Sequence, residues 1–285
     1  MNLQNKIIYE TENFRPLPKY PTYPFYHIGD YLEESFFKKF ISSENLRNDL
    51  IYLPIFWTTL YNDNVIGVQK FLDSLDKNLS YFTVCQHDDA VKENLPPKTI
   101  VYSAGGNRGD VPIPLVCSNI PKDLIPKEVP KKKLASFVGS MTHPIRNLIY
   151  NQYKSDGDFL FLTKNWTPKI SHNDFKNFSD ATSISKFTLC PRGYGKSSFR
   201  LYETFQLNSI PVYISDYFWL PFEEELKWSE FCVMIKSNQI PDLKNILQSI
   251  DDVTYKKMLT KGKEIWFNYF EINKTCEKIL NFYEN

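Results

Sequence analysis

The chain lacks most of the features that would place it in a simple function class. It has five cysteines in 285 residues. Cys85, Cys117, Cys190, Cys232 and Cys276 form no Cys-x-x-Cys pair and have no histidine at ligand spacing, which removes a zinc ribbon or a redox dithiol. Their number is odd and most sit in apolar runs such as YFTVCQ and FCVMI, so they read as reduced, buried, small apolar side chains. Charge of one sign is also missing: 34 Lys and Arg stand against 33 Asp and Glu, a net charge of +1. Without a clustered basic surplus there is no electrostatic basis for nucleic-acid binding, although a local basic pocket for one pyrophosphate is still allowed. No window approaches ~18 uninterrupted apolar residues, so no transmembrane segment is expected. The opening MNLQNKIIYETENFRP has no apolar signal-peptide core, and the cytoplasm is the default expectation.

What is present is a core-forming composition. Aromatic residues make up 16% of the chain and apolar residues 42%, enough to offset the ordering entropy that keeps disordered chains open. Divided by a typical domain of ~150 residues, the length predicts two domains. The stretch up to about Tyr31, rich in Pro and Tyr (PLPKYPTYPFYH), is expected to be irregular. LIYLPIF (50–56), YFTVCQ (81–86) and TIVYSA (99–104) read as buried strands, and IGVQKFLDSLDK (66–77) carries Val68, Phe71, Leu72 and Leu75 at helical spacing. SNIPKDLIPKEVPKKK, between Cys117 and Leu134, reads as a linker with a solvated lysine run.

Alternation then resumes. ASFVG (135–139), DFLFLT (158–163), KFTLCP (186–191), IPVYISD (210–216) and FCVMI (231–235) are expected strands. HPIRNLIYNQYK, residues 171–185 and SSFRLYETFQLN (197–208) are expected helices, the first with Pro144 in its first turn. From about Pro241 the tail should be helical, with Ile265, Trp266, Tyr269 and Phe270 on one face. Strands alternating with helices imply parallel sheets covered on both faces. The expected architecture is α/β, two Rossmann-like domains over 1–125 and 126–264, with a C-terminal helix at 265–285 returning toward the N-terminal domain. Ligands of such sheets bind beyond the carboxyl ends of the strands, so a central cleft between the halves is the expected site.

The most informative stretch is KFTLCPRGYGKSSFRLYETFQLNSIPVYISDYFWLPF (186–222). A strand ends at Pro191 and is followed by Arg-Gly-Tyr-Gly-Lys-Ser-Ser and then a helix. Gly193 and Gly195 permit close backbone approach. Ser197 or Ser198 can cap the helix, whose first amides attract anions. Arg192, Lys196 and Arg200 add positive charge, and Glu203 lies three residues after Arg200 on the same helix face. Two readings stand side by side. In one, the loop cradles a diphosphate with Arg200 on phosphate and Glu203 on a ribose diol; in the other, Arg200 and Glu203 are a surface pair beside a Gly loop.

This stretch resembles the signature of the exostosin-like glycosyltransferases, carried here by Phe187, Leu189, Pro191, Gly193, Ser198, Arg200, Glu203, Pro211, Val212, Asp216, Leu220-Pro221-Phe222 and Trp228. Phe137-Val-Gly139 followed by Arg146, Asp110-Val-x-Ile-Pro114, the LIYLPIF strand and His87-Asp88 are further, looser similarities. The chain departs from the family at Thr204 and at Asn208-Ser209-Ile210, where an Ala and a Gly-Cys pair are usual. The resemblance implies a GT-B fold and an inverting transfer, without an essential divalent metal or other cofactor, of a sugar from a UDP-sugar donor to a glycan or polysaccharide acceptor.

For such a transfer, Arg146, Arg192 and Arg200 with the amides of 193–198 would hold the leaving diphosphate. His87 or Asp88, just beyond a strand of the N-terminal half, would take the acceptor's proton. Asp156-Gly-Asp158 spells the Asp-x-Asp of metal-dependent transferases, but it precedes a strand and so reads as a turn. Gly105-Gly106-Asn107-Arg108-Gly109 reads as a turn or a mobile loop on the acceptor side. A GDP-fucose-type GT-B transferase and a catalytically inactive sugar- or nucleotide-binding protein are the alternative functions.

Overall fold

The computed structural model describes residues 2–17, 32–43, 49–115, 120–127, 129–167 and 170–284. Cys117 and residues 18–31 of the Pro- and Tyr-rich opening lie outside them. Two compact units result. The first holds the described residues up to 115 and those from Ile272 onward, and the second holds 120–271.

The first unit opens with α1 (Leu3–Glu10), where an irregular segment is expected from the sequence. The Asn2 side chain caps this helix by accepting the Asn5 amide at 2.8 Å, and Ile7 anchors it in the core. It is followed by α2 (Leu32–Ile41), β1 (Leu50–Tyr52), α3 (Trp57–Asn62), α4 (Val68–Asp73), β2 (Ser80–Cys85), β3 (Thr99–Ser103) and β4 (Val111–Pro112). The four strands are parallel in the order β1-β2-β3-β4. Helices α1, α3 and α4 bury Ile7, Trp57, Leu60, Val68 and Leu72 against one face of the sheet. Phe36 and Phe40 of α2 pack on Tyr52 and Phe82 of the other. Of LIYLPIF, 50–52 forms the strand and the Leu53 amide makes the last ladder bond, to the Phe82 carbonyl at 2.8 Å, because Pro54 has no amide to donate. The β2–β3 connection, 86–98, contains no helix.

The second unit contains β5 (Lys133–Ser140), α5 (Pro144–Tyr153), β6 (Phe159–Lys164), α6 (His172–Ser183), β7 (Ser185–Pro191), the short α7 (Phe199–Glu203) and β8 (Ile210–Ile214). These are followed by β9 (Val233–Ile235), α8 (Leu243–Gln248) and α9 (Asp252–Ile265). All five strands are parallel in the order β6-β5-β7-β8-β9. Alternate residues of each strand feed opposite cores. Phe137, Phe187, Leu189 and Val212 meet α5, α8 and α9, while Val138 meets Phe175 and Phe178 of α6. This is a doubly wound sheet, Rossmann-like as expected.

The expected linker is packed in its described part. Ile120 and Leu124 are buried against α6. Of the lysine run, Lys131 is not a solvated charge: its ammonium donates to the Ser183 and Asn208 carbonyls at 2.7 and 2.5 Å, closing the ends of two helical segments.

The helical tail bends through a wide turn at Trp266–Phe270. The Phe270 ring there packs on Tyr202 and Trp228 at 5.2 and 5.3 Å. The last helix, α10 (Ile272–Glu284), belongs to the first unit and packs on α2, with Lys39 paired to Glu277 at 3.3 Å. Among the described residues no helix is long and apolar enough to cross a membrane.

Candidate functional site

Strands β5 and β7 lie side by side, but the chain winds outward from them in opposite directions. The loops that follow them therefore diverge and leave a crevice at their carboxyl ends. One wall is Ser140–His143 and the other is 192–198. The second loop is held from three sides. The Arg192 amide donates to the Ile214 carbonyl at 3.0 Å, extending the β8 register by one residue. From α5, Arg146 donates through Nε to the Arg192 carbonyl at 3.1 Å, through Nη1 to Ser140 at 2.6 Å and through Nη2 to Pro191 at 3.2 Å. A Cβ on Gly193 would lie 2.9 Å from that same Nη2, so any side chain here would have to displace the Arg146 guanidinium. The third support is the buried Tyr213. Its hydroxyl donates to the Lys196 carbonyl at 2.7 Å and accepts the Trp219 amide at 3.2 Å. Burial pushes this phenol up to about 12, so it stays a donor at neutral pH.

On this frame the expected phosphate ligands divide into two groups. Arg192 is half-buried on the loop, with Nη2 on the Tyr194 carbonyl at 3.0 Å, and the Lys196 ammonium lies 5.2 Å above the Trp219 ring. Ser198 is the N-cap of α7 and makes no side-chain capping bond. Ser197 is 4% exposed and its Oγ has no hydrogen-bond partner within the protein, as is also the case for Ser136 Oγ and Thr182 Oγ1 elsewhere in the second unit. Arg200 and Glu203, in contrast, turn inward. Arg200 Nη1 meets Glu203 Oε2 at 2.5 Å, with the two side chains 16% and 0% exposed. Arg200 Nε donates to the Val138 carbonyl at 3.0 Å, and its guanidinium stacks 4.2 Å from the Phe178 ring. They are paired, as one sequence reading held, but the pair is buried rather than on the surface.

In the first unit, His87 and Asp88 lie just past the carboxyl end of β2 and rest on the Gly105–Asn107 loop that follows β3. A Cβ on Gly105 would meet Asp88 Cα at 2.3 Å, and the Asn107 amide donates to the Asp88 carbonyl at 3.2 Å. This Gly loop is a braced turn. His87 packs edge-on against Tyr61 at 5.0 Å, and its Nδ1 accepts the Asp89 amide at 3.2 Å. Burial, followed by the Lys92 charge, lowers its pKa, with Asp89 opposing, so the imidazole is neutral and its proton sits on Nε2.

With this geometry in place, comparison with known proteins decides the family. The Exostosin GT47 domain model matches residues 95–250, more than half of the chain. The chain belongs to the exostosin GT47 family. A protein of Arabidopsis thaliana named probable glycosyltransferase is 30% identical over 154 residues, covering 54% of this chain and 31% of that one. Mouse exostosin-1 is 27% identical over 165 residues, covering 52% and 21%. The chain thus spans less than a third of the length of either of these two relatives. Among solved structures, TarM aligns over 89% of this chain and 58% of its own, with 12% identity and a TM-score of 0.45.

Several residues of the exostosin signature have visible structural work. Trp228 Nε1 donates to the Pro221 carbonyl at 3.0 Å, locking the Leu-Pro-Phe turn. Asp216 accepts the Ser237 amide at 2.9 Å, a bond that lowers its pKa. Outside the signature, Asp156 and Asp158 both hold Lys244, at 2.7 and 2.8 Å, so this pair is a turn bridged by one ammonium.

The sequence reading passed over His143, Tyr213 and the residues after β6. His143 caps α5, its Nδ1 accepting the Ile145 amide at 3.2 Å. Its pKa is lowered by burial, then by Arg192 and Arg146, with Asp216 opposing. The signal for His143 was its place directly before Pro144 at the helix start. Tyr213 gave no signal, since it reads as one more apolar strand residue.

Proposed function

We propose that this exostosin-family chain is an inverting glycosyltransferase that moves a sugar from a UDP-linked donor to a hydroxyl of a glycan acceptor, without an essential divalent ion. The observation that carries this reading is the 192–198 loop at the switch point of the second sheet. There a buried, unpartnered Ser197 hydroxyl sits among two glycines, Arg192 and Lys196. A diphosphate leaving group gains negative charge as its glycosidic bond breaks. Fixed N–H groups and cations already in place stabilise that charge without reorganising.

In this reading Arg192, Lys196, Gly193, Ser197 and Ser198 contact the diphosphate. Arg146 acts through the loop, holding its carbonyls. Arg200 is held by Glu203 and tied to β5, so that pair fixes the start of α7 unless it opens to admit the ribose. For the acceptor, His87 in its neutral form carries a proton on Nε2 and donates, which leaves Asp88 as the group that takes the hydroxyl's proton. Independence from a metal is supported by Lys244, whose ammonium already occupies the space between the Asp156 and Asp158 carboxylates.

A screen of UDP-sugars for slow donor hydrolysis, with and without EDTA, tests the reading without knowledge of the acceptor. One UDP-sugar should be hydrolysed by the wild type equally in both buffers. Ser197→Ala and Arg192→Ala should lose most of that activity while folded, and the anomeric configuration of the released sugar, followed by NMR, should be inverted. Activity confined to GDP- or CMP-sugars, or abolished by EDTA, would refute the donor or the metal assignment respectively.

A further inference from the structure

Each parallel sheet has two outer edges, and a row of open amides and carbonyls there accepts another strand. At three of the four edges a local device limits this. On β1 the Gln4 side chain takes the place of a strand: its Nε2 donates to the Tyr52 carbonyl at 3.0 Å and its Oε1 accepts the Tyr52 amide at 2.9 Å. Strand β4 is two residues long and ends in Pro112, and β9 is three residues long. Strand β6 is different. It runs for six residues, and no strand pairs with its outer edge among the described residues.

Nothing in its composition protects that edge. Phe159-Leu160-Phe161-Leu162-Thr163 contains no proline, glycine or charge, and the first charge is Lys164 at the end. Leu162 is 39% exposed, and Trp166, two residues past the strand, is 68% exposed. An apolar segment of this kind pairs with other chains when it is left open, so a folded protein that carries one keeps it covered.

The direction of the backbone groups says what fits. The Asp158 carbonyl accepts the Leu134 amide at 2.9 Å and so faces β5. By the two-residue alternation the backbone groups of Leu160, Leu162 and Lys164 also face β5, and those of Phe159, Phe161 and Thr163 point outward. Set a second copy antiparallel on a two-fold axis through Phe161, and this row becomes its own complement. Phe161 exchanges both hydrogen bonds with Phe161 of the second copy, and the Thr163 amide of each copy reaches the Phe159 carbonyl of the other. The Phe159 amide is not needed, being bonded to the Asp156 carbonyl at 3.0 Å. Between these pairs Leu162 stands opposite Leu160 and Lys164 opposite Asp158, an apolar and an opposite-charge cross-strand pair. Both charges also have a partner in their own chain, Asp174 at 3.1 Å and Lys244 at 2.8 Å, so pairing extends a row of alternating charges.

We infer that β6 is a dimerisation strand: two copies of this chain pair antiparallel through it and join their five-stranded sheets into one. The symmetry closes the edge, because each copy covers the other and leaves none of β6 open to a third. Antiparallel pairing points the carboxyl ends of the two sheets in opposite directions, so the two crevices do not face each other. The cavity of about 510 Å³ beyond β5 and β6, lined by residues that include Ser140, Thr142, Lys164 and Trp166, lies at one end of the paired edge. Pairing through β6 is independent of the donor chemistry.

Sedimentation equilibrium on the full chain, from low to high micromolar concentration, reads the association. Wild type should pass from monomer to dimer and stop there. Leu162→Lys, which sets a charge opposite Leu160 in both copies, should weaken the dimer at least ~10-fold. Thr163→Pro, which removes an outward amide and no bond to β5, should do the same. Both side chains are exposed, so both variants should keep the wild-type circular dichroism spectrum. Hydrogen exchange on wild type needs no variant: the Phe161 and Thr163 amides should exchange more slowly as concentration rises, whereas the Leu162 amide, bonded to β5 throughout, should not change. A wild type that stays monomeric, folded variants that dimerise as tightly as wild type, exchange at Phe161 and Thr163 that ignores concentration, or growth beyond the dimer would each overturn the pairing.

Discussion

Glu203→Ala is the most informative single change, because it separates a strut from a ligand. The Glu203 carboxylate is fully buried and meets Arg200 Nη1 at 2.5 Å. Removing it leaves a guanidinium between the Phe178 ring and the Val138 carbonyl with its main counter-charge gone. Breaking a fully buried pair costs about 3–5 kcal/mol. Arg200 retains some exposure and water can reach it, so a loss of ~2–4 kcal/mol is expected. At about 2–4 °C per kcal/mol for a chain of this class, the thermal midpoint should fall by ~5–15 °C. Arg200→Met should cost a similar amount, since it strands the carboxylate. The double variant Arg200→Met/Glu203→Leu should be milder than either single one, because a buried pair replaced by apolar groups is often neutral. Thermal unfolding followed by circular dichroism measures all three, and UDP titration of each folded variant completes the set. A Glu203→Ala protein within ~0.5 kcal/mol of wild type would refute the strut. Loss of UDP affinity at unchanged stability would place the carboxylate on the ligand instead.

Four further outcomes follow from the same geometry. Tyr213→Phe removes the hydroxyl that bridges Lys196 and Trp219 while keeping the buried ring, so UDP affinity should fall several-fold with a stability loss of only ~1–2 kcal/mol; unchanged affinity would show that the loop holds itself. Gly105→Ala places a Cβ 2.3 Å from Asp88 Cα, which must displace the His87–Asp88 turn, and urea denaturation should register ~1–3 kcal/mol or more. His143 and His87 both have lowered folded pKa values, so between the folded values and ~6.5 the unfolded chain binds more protons. Stability is therefore full above pH ~6.5 and is lost as pH falls, and His143→Asn, which keeps a helix cap, should reduce the steepness of that decline between pH 7 and 5. Cys85, Cys190, Cys232 and Cys276 are buried free thiols, with Cys190 pushed up to about 12 by burial; a thiol reagent should react with none of these four in the native state and with all of them in urea.

The second sheet was legible in the sequence because its strands are apolar on both faces and bounded by Pro, Gly and helix caps. KFTLCP, IPVYI and the helix between them needed nothing else. What pattern alone misplaced was direction. Spacing puts Arg200 and Glu203 on one helix face, but whether that face looks at solvent or at β5 depends on how α7 is rolled, and the Val138 carbonyl and Phe178 ring decide that from 62 and 22 residues away in the chain. Arg146 is similar: its type suggested phosphate, and three carbonyls from other segments occupy it. Helix α1 was missed because it buries a single apolar side chain, Ile7, and so shows no periodicity. The cavity after β6 went unread because it is made by two loops that only the order β6-β5-β7 brings together.

The first unit is assembled from two stretches of chain separated by the whole of the second, and its aromatic face is completed by α10, which packs on α2. During synthesis on a ribosome, residues 120–271 emerge with all the strands and helices of their own core before α10 exists. The earlier half must meanwhile hold Phe36, Phe40, Tyr52 and Phe82 without their last neighbour. A stalled or prematurely ended polypeptide would thus carry a finished second unit and an unsealed, sticky first one, and that nascent species is the one a chaperone would be expected to retain.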